Sequence, residues 1–375
     1  MNGNPSFTER LGVRIIINAR ARLSRLGGSL MAPGVWEAMQ DAGRAYLDMG
    51  ELHERAGERI AELTRNEAAY VTSGSAAGLV LTTAACITGT DPAKMDRLPH
   101  IDGLKDEIVI HRFQRNHYDI NIRQTGARLV EIGNQRTTHT WELEGAIGER
   151  TAAVMYFPGR YLGANILPLE KIIEIAKGRG VPVIVDAAAQ LPPAENLWAY
   201  SEMGADLVIF SGGKSLAGPQ NTGLIFGRKD LVAACRMMGS PCYAIGRPMK
   251  VGREDIAGLM AALEYYLSGG EQAQVAHCEK LTEFLLERIS GIAGLSAHRR
   301  FPNELGQALP EVVAELDEAA LGLTREEFIR RLWEGDPRVE VGPDGDRGFY
   351  LSPDPLQEEE AEILIERIKE VLASR

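Results

Sequence analysis

The sequence predicts an α/β protein, with a mostly parallel central sheet in a large domain and a smaller α+β domain towards the C-terminus. Three observations carry this. Short apolar runs alternate with helix-length stretches through the first two thirds of the chain. Runs of this kind suit strands covered on both faces by helices. The length of 375 residues exceeds one ordinary core and fits two domains.

The elements follow in order. A β-like run covers residues 14–18, and helical spacing over 34–49 offers Val35, Met39, Ala42, Ala45, Tyr46 and Met49 to one face. A charged amphipathic helix is expected over 50–65. Strands are expected at 69–72, 107–111, 128–132, 152–157, 182–186, 206–211 and 223–226. Helices are expected between most of them, at 76–87, 118–125, 143–149, 169–177 and 197–203. A connector over 239–253 leads to long helices at 254–267 and 271–289. Weaker strand signals at 310–316, 338–341 and 348–351 and a helix at 356–373 complete the chain. The segments expected are an N-terminal arm (1–50), a large domain (51–248) and a small domain (249–375).

Composition excludes several functions. The net charge of -11 disfavours extended nucleic-acid binding, which needs a concentrated basic surface. Arg112, Arg115, Arg123 and Arg128 lie in one stretch, and a solvated face is the favoured reading of them. Cys86, Cys235, Cys242 and Cys278 show neither CxxC nor Cys/His ligand spacing, so no disulfide framework and no metal site are expected. MNGNPSFTERLG has no apolar signal core, and no apolar run is long enough to span a bilayer. A cytoplasmic location without membrane attachment is expected.

The chemistry gathers at strand ends. Val183-Ile184-Val185-Asp186 is an apolar strand ending in a carboxylate, which is costly to bury without a cation or donor. One strand further on, Lys214 stands in the glycine-rich turn IFSGGKSLAGP. Parallel strands joined by a helix would bring both residues to one edge of the sheet, where such sheets bind ligands. A lysine amine and an acid flanking one pocket are what pyridoxal phosphate requires: the amine condenses with its aldehyde, and the acid keeps its ring nitrogen protonated. Val71-Thr72-Ser73-Gly74-Ser75 runs from a strand into a helix, a phosphate cradle of backbone N–H groups with Ser73 and Ser75 hydroxyls added. Ser211 is a further donor. Plain helix capping competes as an explanation of the two serines. A nucleotide-binding phosphate loop competes for Lys214, but its GxxxxGK[ST] pattern lacks the leading glycine, since position 208 is Val.

The order SGS, Asp, Lys, with SGGK as the lysine segment, resembles the fold-type I pyridoxal-phosphate enzymes, which share an aspartate aminotransferase-like fold. Within them the chain resembles the selenocysteine synthase-like group related to L-seryl-tRNA selenium transferase. The resemblance covers about residues 14–255, through IINARARLSRLGGSLM, MGELHERAGERIAELT, TSGSAAGLVLTTAACITG, VDAAAQLPP, DLVIFSGGKSLAGPQNTGLIFGR and GRPMKVGRED. Within that group it points toward D-glucosaminate-6-phosphate ammonia-lyase.

The resemblance implies roles for individual residues. Lys214 would carry the cofactor as a Schiff base and move the substrate α-proton. Asp186 would pair with the ring nitrogen. Ser73, Gly74, Ser75 and Ser211 would hold the phosphate, His117 would lie on the ring, with a surface histidine in a polar loop as the competing reading, and Gln190 would reach the phenolic oxygen. Arg247 and Lys250 would reach across a dimer interface toward a phosphate or carboxylate, with plain surface charge as the equal alternative. Arg347 is a candidate for the substrate carboxylate. A homodimer or a multiple of one is implied. The tRNA-binding domain that precedes the core in selenocysteine synthase is not expected here, since the motifs begin near residue 14. A small amino-acid substrate is therefore expected in place of an aminoacyl-tRNA.

The implied reaction is a lyase reaction: α,β-elimination with release of ammonia from a small hydroxylated amino acid, phosphorylated and acidic ones included, giving a 2-oxo acid. An aldolase, racemase or aminotransferase is the alternative within the same chemistry. A non-catalytic pyridoxal-phosphate-binding protein is the alternative outside it.

Overall fold

The computed structural model describes residues 6–159 and 165–373. Its strands in chain order are β1 (Ile16–Asn18), β2 (Ala68–Thr72), β3 (Glu107–His111), β4 (Arg128–Ile132), β5 (Thr151–Tyr156), β6 (Val183–Asp186), β7 (Leu207–Ser211), β8 (Gly223–Gly227), β9 (Leu295–Arg300), β10 (Glu311–Leu316), β11 (Arg338–Glu340), β12 (Gly342–Asp344) and β13 (Gly348–Leu351).

The chain forms two compact units. One comprises Gly28–Gly269 with Leu305–Gln307. The other comprises the chain up to Gly27, Gly270–Glu304, and the chain from Ala308 onward. These divisions differ from the expected segments. Residues 249–269 pack with the large unit, and the start of the chain divides at Gly27 instead of forming one arm to residue 50.

The large unit is built on a seven-stranded sheet of order β2-β8-β7-β6-β5-β3-β4. β3 to β7 run parallel, whereas β8 is antiparallel to both of its neighbours. The period-2 alternation of each strand feeds two cores. Val109, Val154, Val185, Val208 and Phe210 pack on one face. Ile108, Ile110, Met155, Ile184 and Ile209 pack on the other. The helix Gly74–Thr88 is buried along most of its length, and Gly78 lets it approach Ile209 directly. The helical spacing expected over 34–49 is interrupted: one helix ends at Ala42, and Asp48 caps the next, Met49–Leu63, by accepting from Glu51 N at 2.9 Å.

The other unit holds an antiparallel sheet of order β12-β13-β10-β9 and a parallel pair, β1 with β11. Its core includes Leu285, Val312, Phe328, Phe349 and Leu364. Arg20 and Arg25 both bind Glu340, and Arg22 binds Asp354, so the arginines of the NARARLSR segment are engaged with carboxylates. Arg300 donates to the buried Glu311 at 2.6 Å and also pairs with Asp344.

Candidate active site

Strand register assembles the site. Thr72 at the end of β2 pairs with Gly223, and Ser211 at the end of β7 pairs with the same Gly223. Ser73, Gly74 and Ser211 are therefore brought to one sheet edge across a single intervening strand. Gly223 allows this closeness, because a Cβ there would lie 2.5 Å from Gly74 C. Gly74 has φ +82, a left-handed conformation open to glycine, and it begins the helix Gly74–Thr88.

The donors at this helix start are open. Ser73 is the N-cap residue, yet its side chain makes no capping bond. The hydroxyls of Ser73, Ser75 and Ser211 have no hydrogen-bond partner among the described residues, and all three side chains are half-buried. Capping therefore does not account for Ser73. Half-buried hydroxyls beside the first free N–H groups of a fifteen-residue helix form an anion cradle.

The turn that carries Lys214 is closed by backbone bonds: Gly212 N donates to Thr222 O, Gly218 N to Gly212 O, and Ala217 N to Lys214 O. Gly213 lies against Gln220, where a Cβ would stand 2.4 Å from Gln220 Cα. No helix follows Lys214, so the Gly-Lys-Ser run does not open a helix as a nucleotide phosphate loop does.

β6 and β7 pair in parallel, with Asp186 opposite Ile209, so the two chains leave the sheet side by side. Burial pushes the Asp186 carboxyl up to about 6, while a hydrogen bond from Ala188 N at 3.0 Å and the charge of Lys214 pull it down. Burial lowers the Lys214 ammonium, while Asp186 opposes that shift. The two groups thus share one desolvated region and stabilise each other's charged forms.

The remaining expected residues are distributed as follows. Gln190 lies in the turn after β6, half-buried, and its Nε2 donates to Leu305 O at 3.4 Å. His117 is exposed in the segment after β3 and makes no hydrogen bond, ion pair or ring contact. Arg247 lies over the Tyr243 ring, 5.5 Å from its centroid, and neither it nor the exposed Lys250 pairs with a carboxylate. Arg347 belongs to the other unit and is exposed in the turn between β12 and β13. Within the large unit, the structure gathers Ser73, Gly74, Ser75, Ser211, Asp186 and Lys214; no hydrogen bond or ion pair among the described residues links His117, Arg247 or Lys250 to them. Of the arginines in the basic stretch, Arg112, Arg115 and Arg128 are paired with carboxylates.

Sequence reasoning missed the residues that hold the lysine turn. Ser29 Oγ donates to Lys214 O at 2.6 Å and lies 3.1 Å from Gly213 O. Ser215 Oγ donates to Leu191 O at 2.6 Å, and Gln307 Nε2 donates to the same carbonyl. Ser29 stands inside the quoted RLGGS motif, whereas Gln307 carries no local signal. A hollow of about 440 Å³ beside Asp41, Arg253 and Glu264 contains none of the expected residues.

The donor set fits a cofactor that bears both a phosphate and an aldehyde. The cradle has open donors, the amine is desolvated, and an acid shares its environment.

Compared with known proteins, residues 104–308 match the family model described as Aminotransferase class-V. The chain is 35% identical to the 5'-C-glycyluridine monooxygenase-decarboxylase of a Streptomyces species, over 97% of this chain and 91% of that protein. It is 32% identical to the D-glucosaminate-6-phosphate ammonia lyase of Salmonella typhimurium, over 98% of both. A solved structure of D-glucosaminate-6-phosphate ammonia-lyase matches with a TM-score of 0.86 at 32% identity, over 99% of both chains. The L-seryl-tRNA(Sec) selenium transferase of Moorella thermoacetica is 28% identical over 68% of this chain and 56% of that protein.

Proposed function

We propose, from the premise that this chain belongs to the class-V aminotransferase family of fold-type I pyridoxal-phosphate enzymes, that it is an ammonia-lyase acting on a small hydroxylated amino acid with a phosphorylated or acidic side chain. The reaction class rests on the full-length likeness to an ammonia-lyase in both sequence and structure. The cofactor assignment rests on the shared environment of Asp186 and Lys214 beside the open cradle.

Pyridoxal phosphate, when bound, supplies an aldehyde that condenses with amines and a ring that withdraws electrons from the bonds at the substrate Cα. Ser73, Ser75, Ser211 and the N–H groups at the start of Gly74–Thr88 would hold its phosphate. Lys214 Nζ is desolvated, which favours the neutral amine needed both for covalent attachment and for taking the proton from Cα. Asp186 would hold a proton on the ring nitrogen. Its retained partner Ala188 N orients the carboxylate. His117 would cover the ring, Gln190 would reach its phenolic oxygen, and Arg247 and Lys250 would serve the charged groups of the substrate.

The active form is proposed as a homodimer or a multiple of one. The large unit leaves Tyr46 fully exposed and Tyr243 93% exposed, an arrangement that suits burial by a second copy. A cytoplasmic location is supported by four unpaired cysteines. No helix among the described residues is long and apolar enough to cross a membrane.

The test is a screen of D- and L-hydroxy amino acids, phosphorylated and acidic ones included, with cofactor-loaded protein. Release of ammonia with an equal amount of 2-oxo acid is expected from at least one. Release from none overturns the lyase assignment. A second reading, oxidative decarboxylation, is favoured by the 35% likeness to the Streptomyces monooxygenase-decarboxylase. It predicts uptake of dioxygen and release of carbon dioxide in the same screen.

A further inference from the structure

We propose that Gln307 is a positioning residue for Lys214, acting through a buried polar knot that ties the chain after Asp186 to the lysine turn. The inference rests on the cofactor role of Lys214 proposed above.

The knot has three members. Leu191 O accepts from Ser215 Oγ at 2.6 Å and from Gln307 Nε2. Gln307 Nε2 also lies 3.2 Å from Ser215 Oγ. All three residues are buried, with exposures of 3% for Leu191, 5% for Ser215 and 6% for Gln307. Ser215 follows Lys214 directly, and Leu191 follows Gln190 in the turn that begins at Asp186.

β6 and β7 fix the starts of these two turns, and the last backbone bond from β6 to β7 runs from Ala187 N to Ile209 O at 2.9 Å. Beyond that point the chains need another connection, and the knot supplies it. Leu305 adds a second one, since its carbonyl accepts from Gln190 Nε2. The three residues 305–307 thus grip the acid's turn at two successive positions, Gln190 and Leu191, while Gln307 also touches Ser215. They are a short excursion of a chain whose flanks, Glu304 and Ala308, belong to the other unit.

Buried hydrogen bonds of this kind contribute rigidity more than net stability, since each member is desolvated and satisfied only in one arrangement. A reacting amine on a four-carbon stem depends on such rigidity at its backbone, because a shift of about 1 Å costs roughly 10²-fold in rate. The bonds of Gln307 described above go to Leu191 and Ser215, which flank the acid's turn and the lysine. Their effect is on the separation of the amine and the acid.

The test uses the full chain loaded with pyridoxal phosphate, with variants Gln307→Met, which keeps the bulk without the amide, and Ser215→Ala, which opens the knot from the other side. The readouts are the pH midpoint of the bound cofactor's visible absorbance and the rate at which cofactor-free protein captures it. Both variants are expected to move the midpoint by at least ~0.5 pH unit and to slow capture about tenfold, with Gln307→Glu failing to restore either, because its carboxylate would face the Leu191 carbonyl. If one variant fails to fold, the other decides. Folded variants with the wild-type midpoint and capture rate overturn the inference. If borohydride fixes no cofactor on Lys214 of the wild-type protein, the cofactor assignment itself falls. A normal wild-type adduct with unshifted variants overturns the Gln307 role alone.

Discussion

Gly223 and Ser75 approach so closely that a Cβ on Gly223 would stand 2.7 Å from Ser75 N. The obstacle is backbone, which cannot swing aside as the tip of a flexible side chain can. Gly223→Ala is therefore expected to displace the start of the helix Gly74–Thr88 and weaken pyridoxal-phosphate binding by at least ~10-fold. Titration of the visible band, with a parallel thermal melt of cofactor-free protein, checks this. Unchanged affinity would show that the cradle lies elsewhere.

The double variant Ser73→Ala/Ser75→Ala removes two open hydroxyl donors without disturbing any internal hydrogen bond of those side chains. Bonds to a charged phosphate are worth roughly 1.5–3 kcal/mol each. Affinity for pyridoxal phosphate should fall about 10²- to 10⁴-fold for the two bonds together, whereas affinity for pyridoxal, which has no phosphate, should stay the same. An equal loss for both ligands would assign the serines a structural role.

Lys214→Ala removes the amine, and Lys214→Arg replaces it with a group that stays protonated. Both should lose the borohydride-fixed adduct and at least ~10³-fold in kcat for ammonia release. Mass spectrometry of the peptide around position 214 identifies the attachment point directly.

Asp186 titrates at about 6 in the folded protein, against about 3.9 for a free aspartate. Between these values the folded state binds more protons than the unfolded one, so this group's contribution makes stability fall as pH rises from about 4 to 6. Lys214 contributes the opposite slope at higher pH, because its folded-state ammonium is lowered and stability is regained as pH rises toward the unfolded value. Urea unfolding of cofactor-free wild type and Asp186→Asn at pH 4, 5 and 6 isolates the first term. The wild type should lose roughly ten- to a hundredfold in folding equilibrium relative to the variant across this window. Parallel curves would contradict the buried environment of Asp186.

In the other unit, Glu311 is 1% exposed and depends on Arg300. Arg300→Met leaves that carboxylate buried without its cation and should cost about 3–5 kcal/mol by chemical denaturation. Arg300→Met combined with Glu311→Met should recover much of the loss.

Much of the sheet was legible in the sequence because its strands are apolar and bounded by turn residues. The ends of β6 and β7 were placed at Asp186 and Ser211, where the structure has them. Other elements left fainter traces. β9 reads Leu-Ser-Ala-His-Arg-Arg and pairs only with β10, so half of it faces solvent and carries no apolar run. The helix Lys229–Met238 buries Leu231, Val232, Cys235 and Met238 on one face, a helical spacing interrupted by Arg236 and preceded by the charged run Arg228-Lys229-Asp230. In the candidate site, the lysine, the acid and the serines were singled out in the sequence by type and position. Ser29 and Gln307 did not, because they act on backbone carbonyls 185 and 116 residues away in sequence, and a bond to a carbonyl requires no particular partner residue.

The central place of β8 between β2 and β7 has a bearing on biosynthesis. A nascent polypeptide emerging N-terminus first has made the cradle serines long before Gly223 exists, and the amine's turn is finished only shortly before it. Until Gly227 has left the ribosome, the inserted ribbon that aligns the early and late halves of the site is missing. Vitamin loading is therefore expected to await about three fifths of translation, and a truncated product ending before that point would lack the ribbon that joins the two halves.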